Sequence, residues 1–290
     1  MRRLKDSHPL TAAVWCLEAM ATAMFSTDPM TVIILLLGAV LFAFLQDAKK
    51  AVRYLPAVFS LFLIMTAANP LFNHRGNTVL FVMNDSPVTL EALIYGAYAA
   101  AMIVSVFFVA FGMKEVMTSE KILHLLRKLS PKASMVLSMS LRSIPHFAEQ
   151  ARKIEGTQKT LGLYKKDNAV DTVMGKLKVF DILTTWALEN GITTAESMEA
   201  RGWGSGKRSY LSPFKMTAGD VFLLLISSLF FAVAMWGVIT AKTSFYPVFS
   251  FYEGTAARAV GYLSATALSF LPSVIEIKEV IRWKYLTSKI

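Results

Sequence analysis

Long apolar stretches fill most of the chain, and one long polar region separates the fourth stretch from the fifth. The apolar stretches are residues 10–26, 30–45, 55–72, 88–113, 216–240 and 255–275. About 20 apolar residues are needed to cross the roughly 30 Å hydrocarbon core of a bilayer, so the pattern predicts about six transmembrane helices. The first two stretches are short, and Thr27-Asp28-Pro29 between them predicts a tight helical hairpin, because proline ends one helix and starts the next.

The basic residues predict the orientation of these helices. Of the 30 Lys and Arg residues, 27 lie in segments 1–9, 46–54, 114–215 and 276–290, and the other three are Arg75, Lys242 and Arg258. Cytoplasmic segments of membrane proteins carry an excess of Lys and Arg. We therefore expect a multi-pass protein of the cell (plasma) membrane with both termini in the cytoplasm.

Composition narrows the function classes. Hydrophobic residues make up 54% of the 290 residues and charged residues only 17%, which is too apolar for an ordinary soluble domain. The net charge of +10 fits either a nucleic acid or a membrane surface as partner. Binding to a nucleic acid would need a basic, mostly soluble domain, and because the sequence shows none we expect no nucleic acid partner. Cys16 is the single cysteine, so neither an internal disulfide nor a cysteine-based zinc cluster can form.

Glu18 is an acid inside the first apolar stretch. The basic start MRRLK followed by that stretch would also fit a secretory signal, but an acid in the apolar part argues against one. A charge within a membrane span suggests a functional residue. Pairing with a neighbouring helix, or closeness to the membrane surface, is the alternative for Glu18.

The polar region 114–215 contains 17 basic and 10 acidic residues and has helical periodicity. A short helix is predicted from Thr118/Ser119, with Glu120 in its first turn, to Ser130-Pro131. Two long helices are predicted over 133–161 and 173–201. The first of them should be kinked at Pro145 and should pack through Leu137, Leu141, Ile144, Ala148 and Ala151, and the apolar face of the second is Val173, Leu177, Phe180, Thr184, Ala187 and Leu188.

Gly156 and Gly191 lie late in the two long helices, where glycine costs about 1 kcal/mol relative to alanine. They therefore suggest that the two helices cross closely near small residues. The predicted fold is an all-α membrane protein in three parts: transmembrane helices 1–4 in residues 1–113, a cytoplasmic region of long amphipathic helices in 114–215, and transmembrane helices 5–6 with a basic tail in 216–290.

Arg201 and Gly202 end the second long helix. A cation in the last turn complements the helix dipole and a following glycine supplies a left-handed stop, so helix termination alone could explain both residues. The alternative is docking: an exposed helix end with a forked donor fits a groove that offers carboxylates or carbonyls.

The segment SMEARGWGSGKRSYL resembles the signature of the transmembrane T component of energy-coupling factor (ECF) transporters, the EcfT/CbiQ-like family. The resemblance extends to Asp28-Pro29, Asn69-Pro70, TSEKILHLLRKL, SLRSIPHFAEQARKIEGTQKTLG and the final spans. It implies a coupling subunit of an importer for vitamins or metal ions. Two ABC ATPases would bind beneath the membrane, with ATP and Mg²⁺ in those partners, and a substrate-binding S component would lie beside the chain.

The resemblance also implies two ATPase-docking motifs, one at the end of each long helix. The second motif is Glu199-Ala200-Arg201-Gly202. The first aligns with Gln158-Lys159-Thr160-Leu161-Gly162, which has leucine where the family has arginine. Either Lys159 supplies the charge, or the two ATPases bind asymmetrically.

No catalytic motif accompanies these features. The chain lacks Gly-x-x-x-x-Gly-Lys-Ser/Thr, and GWGSGKRS has the wrong spacing for a phosphate loop. It also lacks the clustered aspartates of a Mg²⁺-dependent membrane enzyme. We expect a non-catalytic subunit without a cofactor of its own. A conventional ABC permease is the main alternative, and a secondary transporter, which would call for repeats or broken helices, is the second.

Overall fold

A computed structural model of the chain describes residues 4–73, 76–83, 86–162, 169–206, 214–241 and 256–287. A short 3-10 helix, Leu4–Asp6, comes first. Eight α-helices follow: α1 Pro9–Phe25, α2 Pro29–Phe72, α3 Leu90–Val116, α4 Ser119–Leu129, α5 Pro131–Thr160, α6 Ala169–Ala200, α7 Ala218–Ala241 and α8 Ala256–Thr287. Two short antiparallel strands, β1 Val79–Met83 and β2 Ser86–Thr89, separate α2 from α3. The predicted all-α membrane class is confirmed.

The helix starts follow from local sequence. Proline occupies the first turn of α1, α2 and α5, where a missing amide hydrogen costs nothing. Thr89 and Ser130 cap α3 and α5 by accepting hydrogen bonds from the amides of Ala92 and Ala133. The predicted short helix and the two predicted long helices correspond to α4, α5 and α6, with ends that differ by one to four residues.

Four helices, α2, α3, α7 and α8, are long and apolar enough to cross a membrane. Helix α1 is also apolar but has only 17 residues. Two of the six predicted apolar stretches, 30–45 and 55–72, lie within the single 44-residue element α2. The count of six crossings therefore stays a prediction.

Helix α2 reverses direction at Asp47, whose backbone is non-helical (φ −154°, ψ 91°). Before this point the segment that leads into α2 and its first half runs parallel to α3, because Ser26, three residues before α2, contacts Tyr98 and Phe42 contacts Gly112. After it α2 runs antiparallel, because Tyr54 packs on Phe111, Thr66 on Gly96 and Asn69 on Ala92. The polar residues between the second and third apolar stretches therefore mark a real turn, although no loop separates the two halves.

The compact unit formed by Met1–Ile122 and Phe214–Ile290 contains these helices. One end of this unit brings together six segments: the N-terminal segment, the turn at Asp47, the end of α3, the start of α4, the start of α7 and the last part of α8. The contacts are Lys50 Nζ to Glu115 Oε1 (2.8 Å), Gln46 Nε2 to Glu276 Oε1 (3.3 Å), the Leu4 amide to the same oxygen (3.2 Å), the His8 amide to Asp220 Oδ1 (3.2 Å) and Lys121 Nζ to Lys5 O (2.7 Å).

Lys121 at this end is 2% exposed, although it lies among the polar residues of α4. Burial is the main cause that lowers the pKa of its ammonium group. The hydrogen bond to the Lys5 carbonyl compensates part of that burial. Of the three basic residues expected on the opposite side of the membrane, Arg75 and Lys242 lie outside the described residues, and Arg258 is buried on α8.

The predicted tight pairing of α1 with α2 is wrong, although the short connection at Thr27-Asp28-Pro29 is present. Helix α1 packs mainly against α3 and α7. Its polar side chains explain this: Thr11 donates to the Asp220 carbonyl, and Glu18 accepts from the Ser228 hydroxyl at 2.7 Å. One carboxylate oxygen of Glu18 is thus paired with a neighbouring helix, as its structural alternative proposed, whereas Oε2 is buried without a hydrogen-bond partner among the described residues.

The second compact unit, Leu123–Pro213, contains α5 and α6. The two helices touch where His146 and Phe147 pack against Trp186, with ring centroids 6.3 and 5.7 Å apart. The predicted crossing at glycines is wrong, because a Cβ added to Gly156 or Gly191 would meet no atom of the described chain within 4 Å. Bulky rings, not small residues, set the contact.

The predicted packing seam of α5 is also wrong in part. Leu141, Ile144 and Ala148 are exposed, and the half-buried line of this helix includes Ser143, Phe147, Ala151, Ile154 and Gln158. The physical reason is the position of Trp186, which selects the face of α5 that carries Phe147.

Replacing Gly191 with alanine is expected to stabilise α6 by about 0.5–1 kcal/mol, because the position is helical and open. Amide hydrogen exchange around residue 191 should slow about two- to fivefold, the factor that corresponds to this energy. Gly202→Ala is the control that should destabilise the helix end and speed hydrogen exchange there, because Gly202 has φ +77° and alanine is strained in that conformation. Faster exchange in Gly191→Ala would mean that another surface approaches this backbone closely.

Candidate functional site

The end of α5 carries the first predicted docking motif. Thr160 is the last helical residue, Leu161 is the C-cap residue, and Gly162 follows with φ +70°. The Leu161 amide donates to the Thr157 carbonyl at 3.0 Å, and the Gly162 amide donates to the Lys159 carbonyl at 3.1 Å. A left-handed glycine at this position ends the helix and redirects the chain.

The end of α6 carries the second motif and has the same form. Ala200 is the last helical residue, Arg201 takes the C-cap position, and Gly202 follows with φ +77°. The Gly202 amide donates to the Glu199 carbonyl at 2.8 Å, and the Trp203 amide donates to the Met198 carbonyl at 3.0 Å. These two bonds form a complete Schellman motif.

Leu161 and Arg201 are therefore equivalent in backbone position. Each is the C-cap residue of a long helix and each precedes a glycine in the left-handed region. Each is also exposed, Leu161 by 65%. The alignment of the two motifs by sequence thus has a geometric counterpart, and the two helix ends differ in the side chain that they present.

Two polar side chains of the first motif, Lys159 and Thr160, already have partners within α5. Lys159 forms an ion pair with Glu155 one turn earlier, with Nζ 2.5 Å from Oε1. The Thr160 hydroxyl donates to the Gly156 carbonyl at 3.0 Å, and Gln158 is half-buried. An exposed pair of this kind contributes only about 0.3–0.5 kcal/mol, so Lys159 can leave Glu155 for another acceptor at little cost.

The second motif is more open. Glu199, Ala200, Arg201 and Gly202 are all exposed. Within the described ranges, the Arg201 guanidinium forms no ion pair, although Glu199 lies two residues before it. Its five N–H donors are therefore available to a partner.

Both motifs lie at the same distance from the contact between α5 and α6. Thr160 lies 14 positions after His146 and 13 after Phe147, and Ala200 lies 14 positions after Trp186. At 1.5 Å per residue, each helix end projects about 21 Å beyond the aromatic contact. The arrangement presents two matched helix ends from one crossing point.

Sequence reasoning missed the aromatic contact and the extent of exposure of α6. Trp186 in LTTWALEN was the available signal, since a tryptophan in an otherwise polar helix commonly marks a contact. The apolar face of α6 has the predicted composition, but its larger side chains are exposed by 56–66%. They are Val173, Leu177, Phe180 and Leu188.

The family described as cobalt transport protein, CbiQ, matches residues 2–211 of this chain. The chain belongs to the CbiQ family. The match extends through both helix-end motifs and confirms the resemblance that the sequence suggested. Membership of CbiQ makes the chain a transport protein of the membrane. No curated protein matches the chain at a significant level.

The described part of the chain brings together no group of three or more His, Cys, Asp or Glu side chains that could hold a metal ion. The description of the CbiQ family names cobalt as what its members transport. The features that stand out in this CbiQ protein are accordingly the paired helix ends and the exposed apolar faces.

Proposed function

We propose that the chain is the T component of an ECF-type ABC importer, in which the ends of α5 and α6 dock into two ABC ATPase subunits. The observation that carries the proposal is the matched pair of exposed, glycine-terminated helix ends, each 13 or 14 residues from the aromatic contact. ATP-driven closure of the ATPases would pull on both ends. The aromatic contact would transmit that movement from one helix to the other.

In this proposal Arg201 is the principal docking side chain. The second motif (Glu199, Ala200, Arg201 and Gly202) enters a pocket of one ATPase, where the guanidinium meets carboxylates or carbonyls. The first motif (Gln158, Lys159, Thr160, Leu161 and Gly162) enters the other ATPase. There Leu161 offers apolar contact at the equivalent position, and Lys159 supplies a charge one turn earlier.

The exposed apolar faces of α5 and α6 suit the third partner, the substrate-binding S component. Ile144 on α5 and Phe180 on α6 are 60% and 66% exposed. Each belongs to a series of exposed apolar residues along its helix, and exposed apolar surface of this kind commonly marks an interaction site. An apolar membrane subunit that lies on these faces would move when the helices move. The cargo, a metal ion or a vitamin, would be chosen by that subunit, and the description of the CbiQ family favours cobalt.

The proposed topology has six crossings, formed by α1, the two halves of α2, α3, α7 and α8, with both termini in the cytoplasm. Two observations support it. The reversal at Asp47 divides α2 into stretches of 18 and 25 residues, about 27 and 37 Å long. The segments expected in the cytoplasm also meet at one end of the first unit.

Co-purification tests the proposal. The tagged chain is extracted in mild detergent from its native host and purified, and the subunits that remain bound to it are identified. We expect two ATPase subunits for each copy of the chain, and uptake of the cargo that depends on ATP hydrolysis. A chain that purifies without ATPases, or that moves solute without nucleotide, would contradict the proposal.

The difference between the two motifs gives a second expected result. Leu161→Asp should weaken ATPase association less than Arg201→Glu does, because both variants introduce a carboxylate but only Arg201→Glu also removes a cation that pairs with the ATPase. We expect a loss of about five- to tenfold for Leu161→Asp, the equivalent of 1–1.4 kcal/mol. Titration of the ATPase pair against each variant in nanodiscs measures this. Equal losses would show that the two docking sites are equivalent.

A further inference from the structure

The hairpin formed by β1 and β2 has an apolar outer strand. Four consecutive residues of β1, Val79, Leu80, Phe81 and Val82, are 52–65% exposed. The pairing with β2 is irregular between Val79 and Phe81, but Phe81 and Val82 follow in regular register. Successive residues of a regular strand point to opposite faces, so β1 is apolar on both faces. Strand β2 differs, since Val88 and Thr89 are buried.

The hairpin is held firmly against the start of α3. Thr78, just before β1, donates from its amide (3.2 Å) and its hydroxyl (2.6 Å) to Glu91 Oε1 in the first turn of α3. The Leu90 amide donates to the Thr78 carbonyl at 3.0 Å. The exposed strand is therefore a fixed feature of this end of the bundle.

The position of the hairpin along the chain places it at the membrane surface. It follows α2 and directly precedes α3, and both of these helices are long and apolar enough to cross a membrane. Strand β2 leads directly into α3 and β1 pairs with β2, so β1 stays within about 17 Å, the length of a five-residue strand, of the start of α3. Tyr95 and Tyr98 lie in the first three turns of α3, and tyrosine side chains favour the headgroup level.

Full immersion in hydrocarbon is excluded by the backbone of β1. Among the residues that the structure describes, β1 is paired along one edge only, with β2, and the amides and carbonyls of the other edge need water or headgroups. Full exposure to water would leave four large apolar side chains on a free strand edge, which promotes aggregation. The boundary between headgroups and acyl chains satisfies both requirements.

We propose that β1 is a lipid-binding strand that lies in the bilayer interface, with Val79, Leu80, Phe81 and Val82 in contact with acyl chains. The strand fixes the depth and rotation of the α2–α3 helix pair relative to the bilayer. This role does not depend on docking to ATPases. The lipid-binding proposal can therefore be wrong while the proposed function is right, and it can be right while the proposed function is wrong.

Site-directed spin labelling of the full chain in phosphatidylcholine–phosphatidylglycerol nanodiscs tests the proposal. Cys16 is the single cysteine, so Cys16→Ala provides the background. A nitroxide is attached at Phe81→Cys or Val82→Cys, and its collision rates with oxygen and with a water-soluble nickel chelate are compared. Phe59→Cys on α2, 62% exposed, is the lipid control, and Lys153→Cys on α5 is the water control.

We expect both hairpin labels to favour oxygen over the nickel chelate, at a depth of about 5–10 Å below the headgroups. They should lie shallower than the label at residue 59. Collision rates like those at residue 153 would overturn the proposal by placing β1 in water. Low collision rates with both reagents would also overturn it, because they would show that protein covers the strand. Val79→Cys and Leu80→Cys extend the test to the first part of β1.

Discussion

Replacing Arg201 with glutamate is expected to reduce association with the ATPase pair by about 30-fold or more. Arg201 is exposed at the end of α6, and the described part of the chain gives its guanidinium no ion-pair partner. In the docked state it would be buried against carboxylates or carbonyls of the ATPase. Losing one partner of such a pair costs about 2–5 kcal/mol. Titration of the ATPase pair against nanodiscs that contain the variant measures the loss.

Two further variants separate docking from helix termination. Glutamate at a helix C-terminus also opposes the helix dipole, at a cost of about 0.3–1 kcal/mol. Arg201→Gln removes the charge without adding an opposite one and should still lose most of the affinity. Lys176→Glu makes the same charge reversal at an exposed position on the same helix and should leave the affinity within about threefold. Full affinity and full transport in Arg201→Glu would exclude the docking role.

Replacing Gly237 with leucine is expected to cause a large loss of stability in the first unit. A Cβ at Gly237 on α7 would lie 2.7 Å from the Gly261 Cα on α8, closer than carbon atoms can approach. Both glycines are buried, and small residues commonly allow such close crossings of membrane helices. The helices must separate to admit a side chain, so we expect a loss of about 2–3 kcal/mol.

Cys16 provides the measurement for Gly237→Leu. It is buried, so a thiol-reactive fluorescent dye labels it when the helices open. The labelling midpoint on heating should fall by about 4–10 °C for a loss of this size. Gly219→Leu is the matched control, because Gly219 is an exposed position on the same helix, where the nearest atom to an added Cβ is Thr217 Oγ1 at 3.8 Å. Equal midpoints for the two variants would show that α7 and α8 do not need this close approach.

The sequence predicted the helix stops of the candidate site, and Gly162 and Gly202 have the left-handed backbone that such a stop requires. The two motifs themselves were identified by the resemblance to the T component family, and their docking role stays a prediction. The equivalence of Leu161 with Arg201 needed the hydrogen bonds of the two helix ends. The aromatic contact at Trp186 was missed, because periodicity identifies an apolar face without showing which of its residues meet a partner.

The sequence by itself determined the helices, the turn after the second apolar stretch and the membrane class. These depend on hydrophobic length, proline position and capping residues, which act over a few neighbouring residues. Only the tertiary structure decided that α1 packs on α3 and α7, that α2 reverses at Asp47 without a loop, and that rings, not glycines, join α5 and α6. It also supplied the hairpin of β1 and β2. Such choices depend on which side chains from distant parts of the chain fit together, and no local pattern contains that information.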